Sequence, residues 1–150
     1  MGHDYWMYRG DEAYMKTLLP AYRQVLSWYE QWLKPDYSLS YVPHWFFVDW
    51  AAGFDYGEPI REKEGNSALQ DLMYIMTLEF AAEMEQAIGL PAMADHYRKI
   101  ATEMRKTIRP KYWDAARNLF ADTQDHRSYS QHVNALAILT GVTKGEEAVK

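Results

Sequence analysis

The stretch from Asn66 to Ile88, NSALQDLMYIMTLEFAAEMEQAI, has apolar residues at helical spacing on nearly its whole circumference. One stripe recurs every three or four residues from Leu69 onward, and further alanine, isoleucine and leucine side chains fill much of the opposite side. A helix that is apolar on most sides is buried on most sides. The stretch therefore predicts a helix enclosed by other helices, with Asn66 as its N-cap and Gly89 after its last turn.

The helices predicted on either side of this stretch each have one apolar face. A stripe over 18–33 predicts an amphipathic helix that stops by Pro35. Its start is open between two positions, because Asp11 is a good N-cap and Pro20 is a good first-turn residue. Pro91 opens the next amphipathic helix, whose apolar positions run over 94–108.

A further helix over 133–139 is again apolar nearly all round, and 146–150 resembles the first turn of another polar helix. Amphipathic and buried helices therefore alternate along the chain. A toroid of two helical layers requires this order, because its inner helices lie between the lumen and the outer ring. A four-helix bundle would have the same single stripe on every helix. The sequence thus predicts an all-α fold built from about two and a half helical hairpins, in one segment over 1–150.

Composition excludes several classes of function. The net charge of −5 argues against nucleic-acid binding, which needs clustered Lys and Arg. No apolar run approaches about 18 residues, so no membrane span is predicted. The chain has no cysteine, which suits cytoplasm or periplasm equally, and its five histidines show no i,i+4 pair. We therefore predict no metal and no cofactor. The start of the sequence has no signal-peptide features.

Aromatic residues make up 15% of the chain and concentrate in two long connections, 35–65 and 109–128. The connection at Gly89–Pro91 is minimal. Long loops at one end of the helices predict that function lies on that rim. Aromatic faces stack on the C–H surfaces of sugars, although a Tyr- and Trp-rich helical core is the alternative explanation.

The run WFFVDW, Trp45 to Trp50, places one carboxylate, Asp49, between bulky neighbours. A poorly solvated carboxylate needs donors, which a sugar hydroxyl, a backbone N–H or an arginine supplies. In the alternative, aromatic side chains pin the loop to the core and Asp49 caps local backbone groups. Glu64, close before the buried helix, either faces the lumen or is stabilised by the helix dipole.

Residues 112–114 and 119–122 flank a turn and predict a small β-hairpin on the rim. The chain then enters the second buried helix through Tyr129-Ser-Gln-His132. His132 either points at the lumen or has a structural role. No Gly-rich phosphate loop and no Gly-x-Ser-x-Gly elbow is present. Carboxylates, aromatic rings and polar amides remain, and these are the side chains of sugar hydrolysis.

Four motifs in this order resemble the catalytic domain of bacterial α-L-rhamnosidases of glycoside hydrolase family 78, within the six-hairpin glycosidases. They are Gly10-Asp11 after an aromatic-rich helix end, Trp45-x-Phe-Val-Asp49-Trp50, Tyr112-Trp-Asp with Phe120-x-Asp122, and Tyr129-Ser-Gln-His-Val-Asn-Ala-Leu-Ala-Ile-Leu-Thr-Gly141. The resemblance implies a partial (α/α)₆ barrel whose lumen binds rhamnose, which two carboxylates hydrolyse with inversion.

In this family the general acid is expected in an acidic motif before the present segment, and the base on a hairpin after Lys150. No catalytic acid or base is therefore assigned to this chain. By resemblance, Asp49 and Trp50 line the sugar subsite, and the further candidates are Trp45, Glu64, Trp113 and His132. The expected partners are a rhamnose-containing glycoside and the rest of the barrel.

Two other functions remain open at this point. The first is a different six-hairpin glycosidase or a polysaccharide lyase, and the second is a standalone helical module for carbohydrate binding or protein interaction. A cut toroid would leave apolar faces larger than those a monomer tolerates. We therefore expect a possible homodimer through those faces.

Overall fold

A computed structural model describes residues 1–63, 65 and 67–145 of the chain. The elements in this part are α1 (Gly2–Arg9), α2 (Glu12–Glu30), α3 (Ala68–Ile88), α4 (Pro91–Tyr112), β1 (Trp113–Asp114), β2 (Leu119–Phe120) and α5 (Gln131–Leu139). The predicted helical fold with a small β-hairpin is confirmed. The predictions for Glu64, Asn66 and 146–150 lie outside the described residues.

Helix α2 begins at the earlier of its two predicted starts. Gly10 adopts a left-handed conformation (φ 65°) that ends α1, and the carboxylate of Asp11 then accepts the N–H of Tyr14 at 3.0 Å. Pro20 consequently lies inside α2 and not in its first turn. The two helices form a tight corner because the glycine reverses the chain and the aspartate caps the next helix.

Helix α2 ends at Glu30, three residues before the end of the predicted stripe. The N–H of Trp32 donates to the carbonyl of Tyr29, three residues back, and Leu33 donates to Glu30 in the same way. This tighter hydrogen bonding turns the chain before Pro35. Trp32 and Leu33 still pack against the core, so the apolar stripe was identified correctly and only its geometry differs.

Helix α3 is the inner helix that the sequence predicted, because 13 of its 21 residues are buried. Helix α4 buries one face, including all the apolar positions predicted over 94–108. The two helices pack along each other and meet at Gly89–Leu90. Gly89 has φ −124°, and a Cβ there would lie 2.1 Å from the Oε2 atom of Glu85. A close approach, and not a left-handed cap, therefore requires this glycine.

Helix α5 differs from its prediction. Its sequence is apolar nearly all round, yet only Val133 and Ala137 are buried within it, and Leu139 is 73% exposed. In this chain α5 packs against α3 and β2 on one side. Its other side is uncovered, which is the arrangement expected of an inner helix in a partial barrel.

The two long connections meet at one end of the helices, where α3 and α5 begin. The predicted β-hairpin is present, and it pairs Trp113 with Phe120 and Asp114 with Leu119. The backbone carbonyl of Asp122, just after the hairpin, accepts the N–H of Ala68 at the start of α3 (3.0 Å). This rim therefore carries both loops that hold the candidate residues. No helix in the described ranges has the length and apolar composition needed to cross a membrane.

Candidate functional site

The loop over 45–58, here called the aromatic loop, is a folded structure on the rim. The N–H of Val48 donates to the carbonyl of Gly57 at 2.9 Å, and Trp45 donates its indole N–H to the carbonyl of Tyr56 at 3.2 Å. Side chains alternate along the first half of the loop. Phe46 and Val48 pack against the core, while their neighbours face outward. The backbone pairing fixes this alternation.

Three outward rings, Trp45, Phe47 and Trp50, form an aromatic cluster. The centroid of Phe47 lies 5.4 Å from that of Trp45 and 5.4 Å from that of Trp50. Trp45 is 66% exposed and Trp50 is 74% exposed. A Cβ on Gly57 would lie 2.4 Å from the ring of Phe47, so the glycine makes room for the cluster. Large apolar rings that an ordered loop keeps exposed to solvent indicate a binding surface.

Asp49 and His132 meet at the edge of this cluster. The Nε2 atom of His132 lies 3.0 Å from the Oδ2 atom of Asp49, and the Oδ1 atom accepts the N–H of Trp50 at 2.7 Å. The side chain of Asp49 is 56% exposed and that of His132 is 31% exposed. Both side chains therefore remain accessible to a ligand while they are hydrogen-bonded to each other.

A cleft of about 230 Å³ opens beside His132. It is lined by 51–54 of the aromatic loop, by 128–132 at the start of α5, and by Asp122. Phe54 lies against His132 with a centroid distance of 5.3 Å. The walls thus combine hydroxyl, amide and carboxylate groups with one aromatic face, which suits a polar ligand that also has C–H surface.

Asp122 organises the start of α5. This buried carboxylate accepts hydrogen bonds from the hydroxyl (2.5 Å) and the N–H (3.2 Å) of Ser130, and from the hydroxyl of Ser128 (2.6 Å). The Ser130 hydroxyl in turn accepts the N–H of Val133 and caps the helix. Because the hydroxyl and backbone donors all converge on one carboxylate, the position of His132 depends on Asp122.

We expect Asp122→Ala to reduce the free energy of unfolding by about 2 kcal/mol, because it leaves buried donors of Ser128 and Ser130 without an acceptor. Asp122→Asn keeps one carbonyl oxygen and is expected to cost less. Thermal unfolding of both variants shows whether the alanine variant loses more stability than the asparagine variant. Amide hydrogen exchange in the first turn of α5 is expected to accelerate in the alanine variant. Equal stability of Asp122→Ala and the parent chain would contradict this role.

The β-hairpin is tied to the cleft through Tyr129. Its hydroxyl donates to the Oδ2 atom of Asp114 at 2.5 Å, and the guanidinium of Arg117 lies 4.7 Å above its ring. The hydrogen bond from Tyr129 lowers the pKa of Asp114, and the N–H groups of Ala116 and Arg117 act in the same direction. A carboxyl group held in its ionised form is poorly suited to donate a proton.

The structure brings together four of the six candidate residues: Asp49, Trp50, Trp45 and His132. Trp113 lies elsewhere on the rim, half-buried against Phe120 (5.0 Å) and below the guanidinium of Arg109 (5.4 Å). Its ring supports the hairpin and does not line the cleft. Glu64 lies outside the described residues.

Of the residues that line the cleft, only His132 was among the candidates, and Asp122 and Phe54 are the two missed residues that most affect His132. Asp122 stands six and eight residues before the serines that it holds, and its place in the motif Phe120-x-Asp122 was the available signal. Phe54 gave no signal, because only the fold of the aromatic loop brings it to His132. In the described ranges, no group of three or more His, Cys, Asp or Glu side chains is arranged to hold a metal ion.

Alternating outer and inner helices with an aromatic and polar rim fit part of a barrel of helical hairpins. The model of the bacterial α-L-rhamnosidase six-hairpin glycosidase domain matches residues 1–150. The chain therefore belongs to that family. No curated protein matches the chain.

The solved structures that share this fold include two rhamnosidases. The crystal structure of the glycoside hydrolase family 78 rhamnosidase of Bacillus sp. GL1 matches 98% of this chain with a TM-score of 0.81 and 26% identity. The rhamnosidase from Klebsiella oxytoca with rhamnose bound matches 99% with a TM-score of 0.80 and 17% identity. The chain spans only 15% of the first of those proteins and 27% of the second.

Proposed function

We propose that the protein is a glycoside hydrolase that removes terminal α-L-rhamnose from glycosides with inversion, and that residues 1–150 supply part of its sugar subsite. The observation that carries this proposal is the pairing of Asp49 with His132 beside the exposed indole of Trp50, in a chain of the rhamnosidase family. A carboxylate accepts hydrogen bonds from sugar hydroxyls, and an indole stacks on the C–H face of a pyranose.

The contacts of each candidate suggest its part in the subsite. Asp49 retains acceptor capacity toward hydroxyl groups, and Trp50 offers a ring face beside it. Trp45 extends the aromatic surface away from His132 through Phe47. We retain Trp113 and Glu64 as proposed members of the same subsite, with Trp113 acting through the hairpin that Tyr129 ties to the cleft.

We further propose that the general acid and the general base come from other parts of the barrel. Three rim carboxylates in the described ranges already accept hydrogen bonds: Asp122 from Ser128 and Ser130, Asp114 from Tyr129, and Glu58 from the N–H of Phe46. An inverting enzyme also needs its two carboxyl groups about 6.5–9.5 Å apart, with a water molecule between the base and the sugar. Asp49, bound to His132 and to its own loop, is better suited to hold the sugar.

The rest of the barrel is the proposed cover of the exposed apolar faces. Met7 and Tyr8 are exposed on α1, and Ile138 and Leu139 are exposed on α5. These faces lie on the helices at either end of the described elements. A homodimer through them remains a prediction for the chain as given.

Titration with L-rhamnose, followed by Trp fluorescence and amide chemical shifts, tests the proposal. We expect weak binding by the parent chain, no binding by Asp49→Ala, and parent-like binding by Asp55→Ala, which removes another exposed acid of the aromatic loop. No hydrolysis of an aryl rhamnoside is expected.

A parent chain that does not bind L-rhamnose would contradict the proposal, and so would two further results. Rhamnoside hydrolysis that follows the protein through purification would place the acid and base within 1–150. Tighter binding of another monosaccharide, such as D-xylose, would assign the subsite to a different substrate.

A further inference from the structure

His132 has the geometry of a residue that acts through its neighbour. It is the second residue of α5, and its Nε2 atom joins Asp49 across 83 positions of sequence. We propose that His132 is a positioning residue that holds the Asp49 carboxylate and, through it, the indole of Trp50. The inference rests on the proposed function, because it concerns the sugar subsite assigned there.

Asp49 has one fixed contact on each carboxylate oxygen. Oδ1 accepts the N–H of Trp50, and Oδ2 contacts His132. Each oxygen of an ionised carboxylate has two acceptor positions, so one on each oxygen stays available to a sugar hydroxyl. Without His132, the carboxylate would keep only the contact within its own loop and could rotate about its Cα–Cβ bond.

The imidazole is itself firmly held. Its ring lies against Phe54, and the helix that carries it starts at Ser130, which the buried Asp122 fixes. A chain of contacts thus runs from a buried carboxylate, through the first turn of α5, to the exposed Asp49. Binding groups on a loop need support of this kind from a rigid element.

The position of Trp50 depends on that of Asp49, because the backbone N–H of Trp50 donates to the Asp49 carboxylate at 2.7 Å. Among the described residues, the contact of Asp49 with His132 is the hydrogen bond that joins the aromatic loop to α5. Loss of that contact is therefore expected to loosen the backbone at Trp50 and the indole that it carries, while the core beneath the loop stays intact.

Three variants test the inference. His132→Phe keeps a ring against Phe54 but has no donor, His132→Gln keeps an N–H donor, and Ala135→Gln changes an exposed residue of α5 outside the cleft as a control. We expect His132→Phe to raise the Kd for L-rhamnose about tenfold, as loss of one charge-assisted hydrogen bond predicts. His132→Gln and Ala135→Gln are expected to stay within about threefold of the parent chain.

A second measurement does not depend on sugar. The heteronuclear NOE of the Trp50 indole is expected to fall in His132→Phe and to stay at the parent value in His132→Gln. An unchanged indole in His132→Phe would overturn the positioning role, whether or not the parent chain binds rhamnose.

The outcomes separate this inference from the proposed function. If Asp49→Ala abolishes binding and His132→Phe binds as the parent does, the sugar subsite stands and the positioning role is wrong. If both His132 variants lose binding while the Trp50 indole stays ordered, His132 contacts the sugar directly, which also overturns the inference. If the parent chain does not bind rhamnose, the proposed function fails and the indole measurement alone decides the positioning role.

Discussion

Arg23→Met is expected to lower the free energy of unfolding by about 3–5 kcal/mol, the usual cost of leaving a buried charge without its partner. Arg23 donates two hydrogen bonds of 2.7 Å to the carboxylate of Glu85, which is only 1% exposed. The pair joins α2 to the last turn of α3. The same carboxylate accepts the N–H of Leu90 at 2.8 Å, and that single donor would remain in the variant.

Urea unfolding at pH 7, followed by circular dichroism, measures this loss. Arg98→Met is the matched control, because Arg98 pairs with Asp95 at 3.7 Å on the surface, where such pairs contribute about 0–1 kcal/mol. The double variant Arg23→Met with Glu85→Met removes both charges and is expected to recover much of the stability. If Arg23→Met loses no more free energy of unfolding than Arg98→Met, the buried Glu85 carboxylate does not need Arg23 as its partner.

Asp71→Asn is expected to change how stability depends on pH. Asp71 is fully buried, and burial raises its pKa from 3.8 to about 7, although the N–H of Leu39 and the hydroxyl of Tyr112 donate to its two oxygens. Above about pH 4 the unfolded chain has lost this proton, whereas the folded chain keeps it up to about pH 7. Unfolding therefore releases a proton in this window, and the stability of the parent chain falls as pH rises through it.

Asparagine cannot ionise, so the stability of Asp71→Asn relative to the parent is expected to rise between pH 4 and 8. The full gain is about 4 kcal/mol, from 1.36 kcal/mol for each tenfold change in proton affinity. Lys111 and Lys34 lower the pKa of Asp71, and the value of about 7 already includes their effect. Urea unfolding at five pH values measures the difference.

Asp125→Asn is the control for this comparison. A hydrogen bond from Thr123 lowers the pKa of Asp125, so its protonation affects stability only below about pH 4. Its difference from the parent is expected to stay constant between pH 5 and 8. Parallel stability curves for Asp71→Asn and the parent chain would mean that the folded protein ionises Asp71 without cost.

These two predictions concern the support of the rim on which the proposed subsite lies. Asp71 holds Leu39, at the start of the long connection that leads to the aromatic loop, against the first turn of α3. Arg23 and Glu85 join the opposite end of α3 to α2. Stability losses at either end are therefore expected to weaken sugar binding indirectly, which is why the control for Asp49→Ala lies in the same loop.

The helical layers followed from the sequence because hydrophobic periodicity is a local signal. The continuous apolar surface over 68–88 gave an inner helix, and the single stripe over 94–108 gave an outer helix. The hairpin around 115–118 was equally local, since the turn residues lie between the two strands. At the end of α2, the apolar stripe continues past the last helical residue into a turn, so the stripe located the buried face but not the last helical residue.

The site was predicted less completely. The motif around Asp49 and Trp50 and the entry into α5 at His132 were both found in the sequence, but nothing in either segment showed that they touch. Neither the burial of Asp71 nor the pairing of Glu85 with Arg23 could be predicted from the sequence. Both acids lie at positions where a helix commonly carries an exposed acidic residue.

The sequence by itself determined the order of inner and outer helices, the hairpin and the family. Each of these depends on the spacing of apolar residues or on short motifs, which are local features. Only the tertiary structure decided which carboxylates are buried, which rings stay in solvent and which donor meets Asp49. Periodicity reports which faces avoid water, but not what covers them. Partners 83 and 62 residues apart meet only after the loops and helices between them have packed.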